Sequence, residues 1–180
     1  MDHLVPAAPW LMALAGVISG VACLAAGRGV PWQARQMALL RSASLLALAV
    51  AGGETLPRLV IGVALLLSAM VGTIGVRGSR SAPMCFHRAV VSLVLAICLW
   101  DTVAAQAAAP ASVSAGAHDH GPAFTGVLSV LGIVGVIGVV LWTIVSERVI
   151  EPSSDRRTNT LLAVESWAMA AGVAVLCLAV

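Results

Sequence analysis

Six long apolar runs, 10–26, 36–52, 59–76, 86–108, 124–146 and 161–180, alternate along the chain with short segments that hold most of its charge. Each run falls near the ~17–25 residues that carry a helix across the ~30 Å hydrocarbon layer of a bilayer. The breaks between them hold helix-ending residues. Gly27-Arg28-Gly29 follows the first run, Gly52-Gly53-Glu54-Thr55-Leu56-Pro57 turns the second into the third, and Pro110 stops the fourth. The pattern predicts an all-α integral membrane bundle of about six transmembrane helices, in one domain over residues 1–180. The segment before the first run, Met1 to Pro6, has no Arg or Lys. It therefore lacks the basic region of a secretory leader, and the run reads as a retained span.

Composition strengthens that reading. Of 180 residues, 60% are hydrophobic and 10% charged, against roughly 25% charged in a soluble domain. A water-soluble fold of this length has no core large enough to hide so much apolar sequence, so the lipid bilayer is the expected partner. The spans use up the chain and leave no room for a soluble catalytic domain. A net charge of +2 on scattered arginines excludes a nucleic-acid footprint. There is no G-x-S-x-G, H-E-x-x-H, Walker loop or dinucleotide fingerprint, and the chain is read as a non-enzyme that needs no cofactor. Cys23, Cys85, Cys98 and Cys177 lie far apart without a C-x-x-C pair, which suggests inert buried thiols.

Orientation follows from the arginines. Arg28, Arg35, Arg41, Arg77, Arg80, Arg88, Arg148, Arg156 and Arg157 fall in or beside the loops of one side, and only Arg58 on the other. Short Arg-rich loops stay in the cytoplasm, so this is a multi-pass protein of the cytoplasmic membrane with both termini outside. Trp10, Trp100 and Trp142 lie near span ends, where amphipathic rings anchor at the interface. Small residues at helical spacing, Gly16 and Gly20, Ser68 and Gly72, Ala168 and Gly172, and the series Gly126, Ser129, Gly132, Gly135 and Gly138, predict close helix contacts.

Ionisable groups inside spans are costly and draw attention first. Glu165 shares a face with Ala168, Met169 and Gly172 and is expected to point into the bundle. Arg41 and His87 lie at comparable depth. The three are read as an intramembrane polar cluster that orients helices, with a small transporter built on the carboxylate as the sharper alternative. On the outer side, His118, Asp119 and His120 close a flexible loop that starts near Asp101. Imidazole and carboxylate suit divalent transition metals, although a solvated loop without ligand is the plainer account. Met1-Asp2-His3 resembles the amino-terminal copper and nickel motif, in which His3 joins the free amine and two backbone nitrogens in a square-planar set. Copper handling at the outer face, by His3, His118, His120 and Asp101, therefore stands beside the first reading: a scaffold or accessory subunit that meets other membrane proteins.

The chain also resembles a family of small actinobacterial polytopic membrane proteins known only as a domain of unknown function. The likeness rests on Trp10-Leu11-Met12, Gln36-Met37-Ala38-Leu39-Leu40, Phe86-His87, the Gly/His loop ending near Gly121, and Ser166-Trp167-Ala168-Met169. It implies a polytopic topology and supplies no activity.

Overall fold

Pro9 opens the first helix, α1 (Ala8–Ala25), where a missing amide proton costs nothing. Just beyond its other end Gly27, at φ 57°, takes the left-handed conformation common past a helix end. The computed structural model describes residues 7–27, 30, 32–51, 54–74, 82–108, 121–149 and 156–178, the side chains of 51, 108, 121–125, 146–149 and 178 excepted. After α1 come α2 (Trp32–Ala51), α3 (Thr55–Thr73), α4 (Ala82–Ala108), α5 (Gly121–Val149) and α6 (Arg156–Leu178). The described residues contain no strand, and the protein is an all-α bundle. Every predicted run falls on a helix, and each helix begins two to five residues ahead of its run. The added residues include a proline in α1, α3, α4 and α5 and polar residues in α2 and α6, and a helix's first turn tolerates both.

Five helices, α1, α3, α4, α5 and α6, are long and apolar enough to cross a membrane. α2 differs because Gln33, Arg35, Gln36 and Arg41 lower its hydropathy. Arg41, Ser42 and Ser44 in the middle of the helix are buried, while Gln33 and Gln36 near its start are exposed. Elsewhere too the usual polarity of a soluble protein is reversed. His87, Arg88, Ser92, Thr143 and Glu165 are inside, while Val17, Val21, Val63, Leu67, Val134, Ile137 and Leu141 face out. Such a surface suits lipid, where water cannot satisfy polar groups and apolar side chains lose nothing by exposure. The protein is accordingly a helical membrane protein.

Neighbours in sequence are neighbours in space, and α6 returns to α1, so the helices close into a ring in chain order. α4 reaches further than the others, touching α2 and α6 as well as α3 and α5. The core gathers around it: Val91, Val94, Leu95 and Leu99 of α4 meet Leu45, Leu65, Val139, Met169 and Val173. Small residues allow these approaches. A Cβ added at Gly172 would lie 3.0 Å from Leu45 Cδ1 and 3.2 Å from Ala15 Cβ, and one at Gly135 would lie 2.8 Å from Val94 Cγ2. The small-residue series on α5 is only partly used in this way, since Gly126 and Gly138 meet nothing within 4 Å.

One sequence expectation needs correction. Cys98 and Cys177 are joined in a disulfide between α4 and α6, with Cα atoms 6.0 Å apart, and only Cys23 and Cys85 are free buried thiols. Spacing could not reveal this, because the partners stand 79 residues apart and meet only when α4 and α6 pack. Trp100 stands eight residues before the end of α4. Its indole lies over Gly62 of α3, where an added Cβ would meet Nε1 at 2.6 Å. Trp10 is 79% exposed near the start of α1, while Trp142 makes an edge-to-face contact with Phe86 at 6.3 Å.

Candidate functional site

Three ionisable side chains meet inside the bundle because three helices each place one of them on an inward face. Arg41 stands nine residues into α2, Arg88 six into α4 and Glu165 nine into α6. At 1.5 Å per residue these positions lie ~9–13 Å from the helix starts. The end of the bundle where these helices begin is therefore its charged end. Relative exposures of 1%, 3% and 2% leave the three groups no access to solvent. Glu165 Oε1 accepts a hydrogen bond from Arg41 Nη2 at 3.2 Å, and Oε2 accepts one from Arg88 Nη2. Arg41 also donates from Nε to the carbonyl of Met37 at 3.3 Å and from Nη1 to that of Arg88 at 3.4 Å. One carboxylate thus ties α6 to both α2 and α4. Arg41 spans all three helices.

Of the expected cluster, Arg41 and Glu165 are brought together, and the second cation on the carboxylate is Arg88 in place of His87. Adjacent helical residues point ~100° apart, so only one of the two can face α6. His87 is buried within electrostatic reach of Arg41 and Arg88, but its Nδ1 has no hydrogen-bond partner. A signal for Arg88 was present in the sequence. It leads the stripe Arg88, Ser92, Leu95, Leu99 and Thr102, every member of which is buried. Cys23, on the last turn of α1, lies within reach of the fields of Arg41, Arg88, Glu165 and Arg35. Beside it, Arg35 of α2 donates to the carbonyl of Gly27, fastening the end of α1.

Of the candidate metal ligands only Asp101 is described. His3, His118 and His120 lie outside the described residues, and Asp101 is half-buried within α4. Among the described residues, no three His, Cys, Asp or Glu side chains are placed to hold a metal ion. Asp101 follows Trp100 on α4, thirteen residues beyond Arg88, or ~20 Å along the helix. It takes no part in the charge cluster.

No family model matches the chain. No curated protein and no solved structure matches it either.

Proposed function

We propose that this protein is a non-enzymatic bundle of the cytoplasmic membrane that serves as a scaffold or accessory subunit. The observation that carries this reading is that the bundle is fastened near both ends. At the charged end Glu165 binds α6 to α2 and α4. Ten residues further along α4, or ~15 Å, the Cys98–Cys177 disulfide binds it to α6 again. A transporter must let one part of a bundle rock against another around its site. Here both oxygens of the carboxylate are engaged, and the same two helices are held above and below. A rigid body clad in exposed apolar side chains is suited to standing against other membrane proteins.

The disulfide supports the proposed orientation. Cys98 and Cys177 lie toward the side that the arginine bias places outside, where disulfides form and persist. The free thiols, Cys23 and Cys85, lie at the charged end, on the proposed cytoplasmic side.

The accessory role is tested with a photo-crosslinking residue at Val130 or Ile137, both on the exposed face of α5. Irradiated in native membranes, the chain should form one discrete adduct, and mild extraction should yield an assembly larger than the bundle with its detergent. A chain that crosslinks only to lipid and migrates as a lone bundle would remove the scaffold reading.

A further inference from the structure

Among the described residues the charge cluster does not balance. Among the described residues, the buried ionised groups are two guanidinium ions and one carboxylate, which leaves one surplus positive charge in a low-dielectric interior. Arginine does not relieve such a surplus by losing its proton. An uncompensated buried charge costs several kcal/mol, and a bundle that tolerates one without a counter-ion is not expected. The hydrogen bonding shows the same deficit. Among the described residues four buried side-chain atoms lack a partner, Ser19 Oγ, Arg35 Nε, His87 Nδ1 and Arg88 Nη1, and the last two stand on adjacent residues of α4. Buried polar atoms are nearly always satisfied, so an orphaned guanidinium nitrogen in the charge cluster, with an orphaned imidazole nitrogen on the next residue, points to an ion or molecule that completes it.

We propose that the cluster is an anion-binding site, in which a small anion of single negative charge accepts a hydrogen bond from the free Nη1 of Arg88, beside His87 and Arg41. One negative charge is what the surplus requires. A guanidinium with one edge already on Glu165 offers its remaining nitrogen to a chloride or a singly charged oxyanion. A phospholipid headgroup is the less suitable source of that chemistry. Arg88 is 97% buried, six residues inside α4, and a headgroup would have to leave the interface to reach it. The inference is independent of the scaffold reading, because a structural ion is as compatible with a transporter as with a rigid support.

The test uses full-length protein in a neutral detergent, at constant ionic strength, with gluconate replaced stepwise by chloride or by phosphate. Thermal unfolding is followed by tryptophan fluorescence. A ligand that binds only the folded state raises Tm progressively as its concentration passes Kd, so both probes should raise Tm where gluconate does not. R88Q cancels the surplus charge and should abolish the anion dependence while keeping the Arg41–Glu165 pair. E165Q adds a second surplus charge and should strengthen it. Should R88Q fail to fold, R88K keeps the charge but removes Nη1, and its half-saturating concentration should rise by about tenfold, the equivalent of one lost hydrogen bond. A chloride-35 resonance broadened by the wild type and sharpened by added phosphate would support the site without any unfolding measurement. Three results would overturn the proposal: identical Tm in gluconate and chloride, an anion response undiminished in R88Q or R88K, or stabilisation by phosphatidylglycerol vesicles over phosphatidylcholine with no response to either inorganic anion.

Discussion

Glu165 is the residue on which the charged end depends, and the asymmetry of its cluster gives a prediction that a simple salt bridge would not. Replacing Glu165 by Gln leaves two buried guanidinium ions without a carboxylate, and should cost ~3–5 kcal/mol of stability. Replacing Arg88 by Gln leaves Arg41 and Glu165 as a matched pair, and should cost clearly less. Unfolding of the two variants and of the double variant in detergent checks this. The cycle should show a coupling of about 0.5–3 kcal/mol between Arg88 and Glu165. Strictly additive losses would mean that the two groups do not interact. His87 is a buried neighbour and not a partner of Glu165, so His87→Ala should show no comparable coupling to that carboxylate.

At the scale of the helices, the glycines divide into those that set an approach and those that do not. Gly172 holds α6 against both α1 and α2, and its added Cβ would meet Leu45 and Ala15 at 3.0 and 3.2 Å. Gly172→Val should destabilise the bundle by ~1–3 kcal/mol, the usual cost of overpacking. Gly138, in contrast, meets nothing within 4 Å. Gly138→Ala should be neutral or slightly stabilising, since alanine is favoured over glycine in a helix interior by ~1 kcal/mol. Steric-trap or thermal unfolding of the two variants measures the difference. The disulfide acts between elements as well. Closing a loop of 79 residues restricts a free unfolded chain by ~4 kcal/mol. Helices retained in lipid restrict that chain already, so Cys98→Ser should cost less than this figure. Alkylation by a maleimide polymer under denaturing conditions should modify two cysteines before reduction and four after it. Four before reduction would show that the disulfide does not form.

For the molecule as a whole, the decisive property is its sidedness. Nine arginines in or beside the loops of one side against one on the other predict that tags at either terminus are accessible from outside intact cells, and that labels at Ser79 and Ser153 are not. α2 makes the experiment informative, because over the described residues it alone falls short of the hydropathy of a membrane span. If α2 did not cross, the N terminus would lie on the side opposite to the C terminus. A terminus reached only after the membrane is opened would therefore refute the six-span arrangement. α2 is instead expected to cross by virtue of its company, since Arg41 is paired and Ser42 and Ser44 donate to the carbonyls of Ala38 and Leu40 within the helix.

The sequence alone determined the helical class and the positions of the six helices. In a bilayer every backbone group must be satisfied within its own segment, so an apolar run of sufficient length has few alternatives to a helix. It also marked Glu165 as inward-facing, because helical periodicity links the charge to the small residues on its own stripe, and it placed Arg41 at a comparable depth. Periodicity gives the face of a helix but not the rotation that brings it against a neighbour. Only the packing of α2, α4 and α6 decided that Arg88, not His87, would take the second oxygen of Glu165. The same packing turned Trp100 onto Gly62 and paired Cys98 with Cys177 over a distance that no local spacing encodes. The surplus positive charge became visible last, since a count of charges along a chain does not tell which of them are buried together.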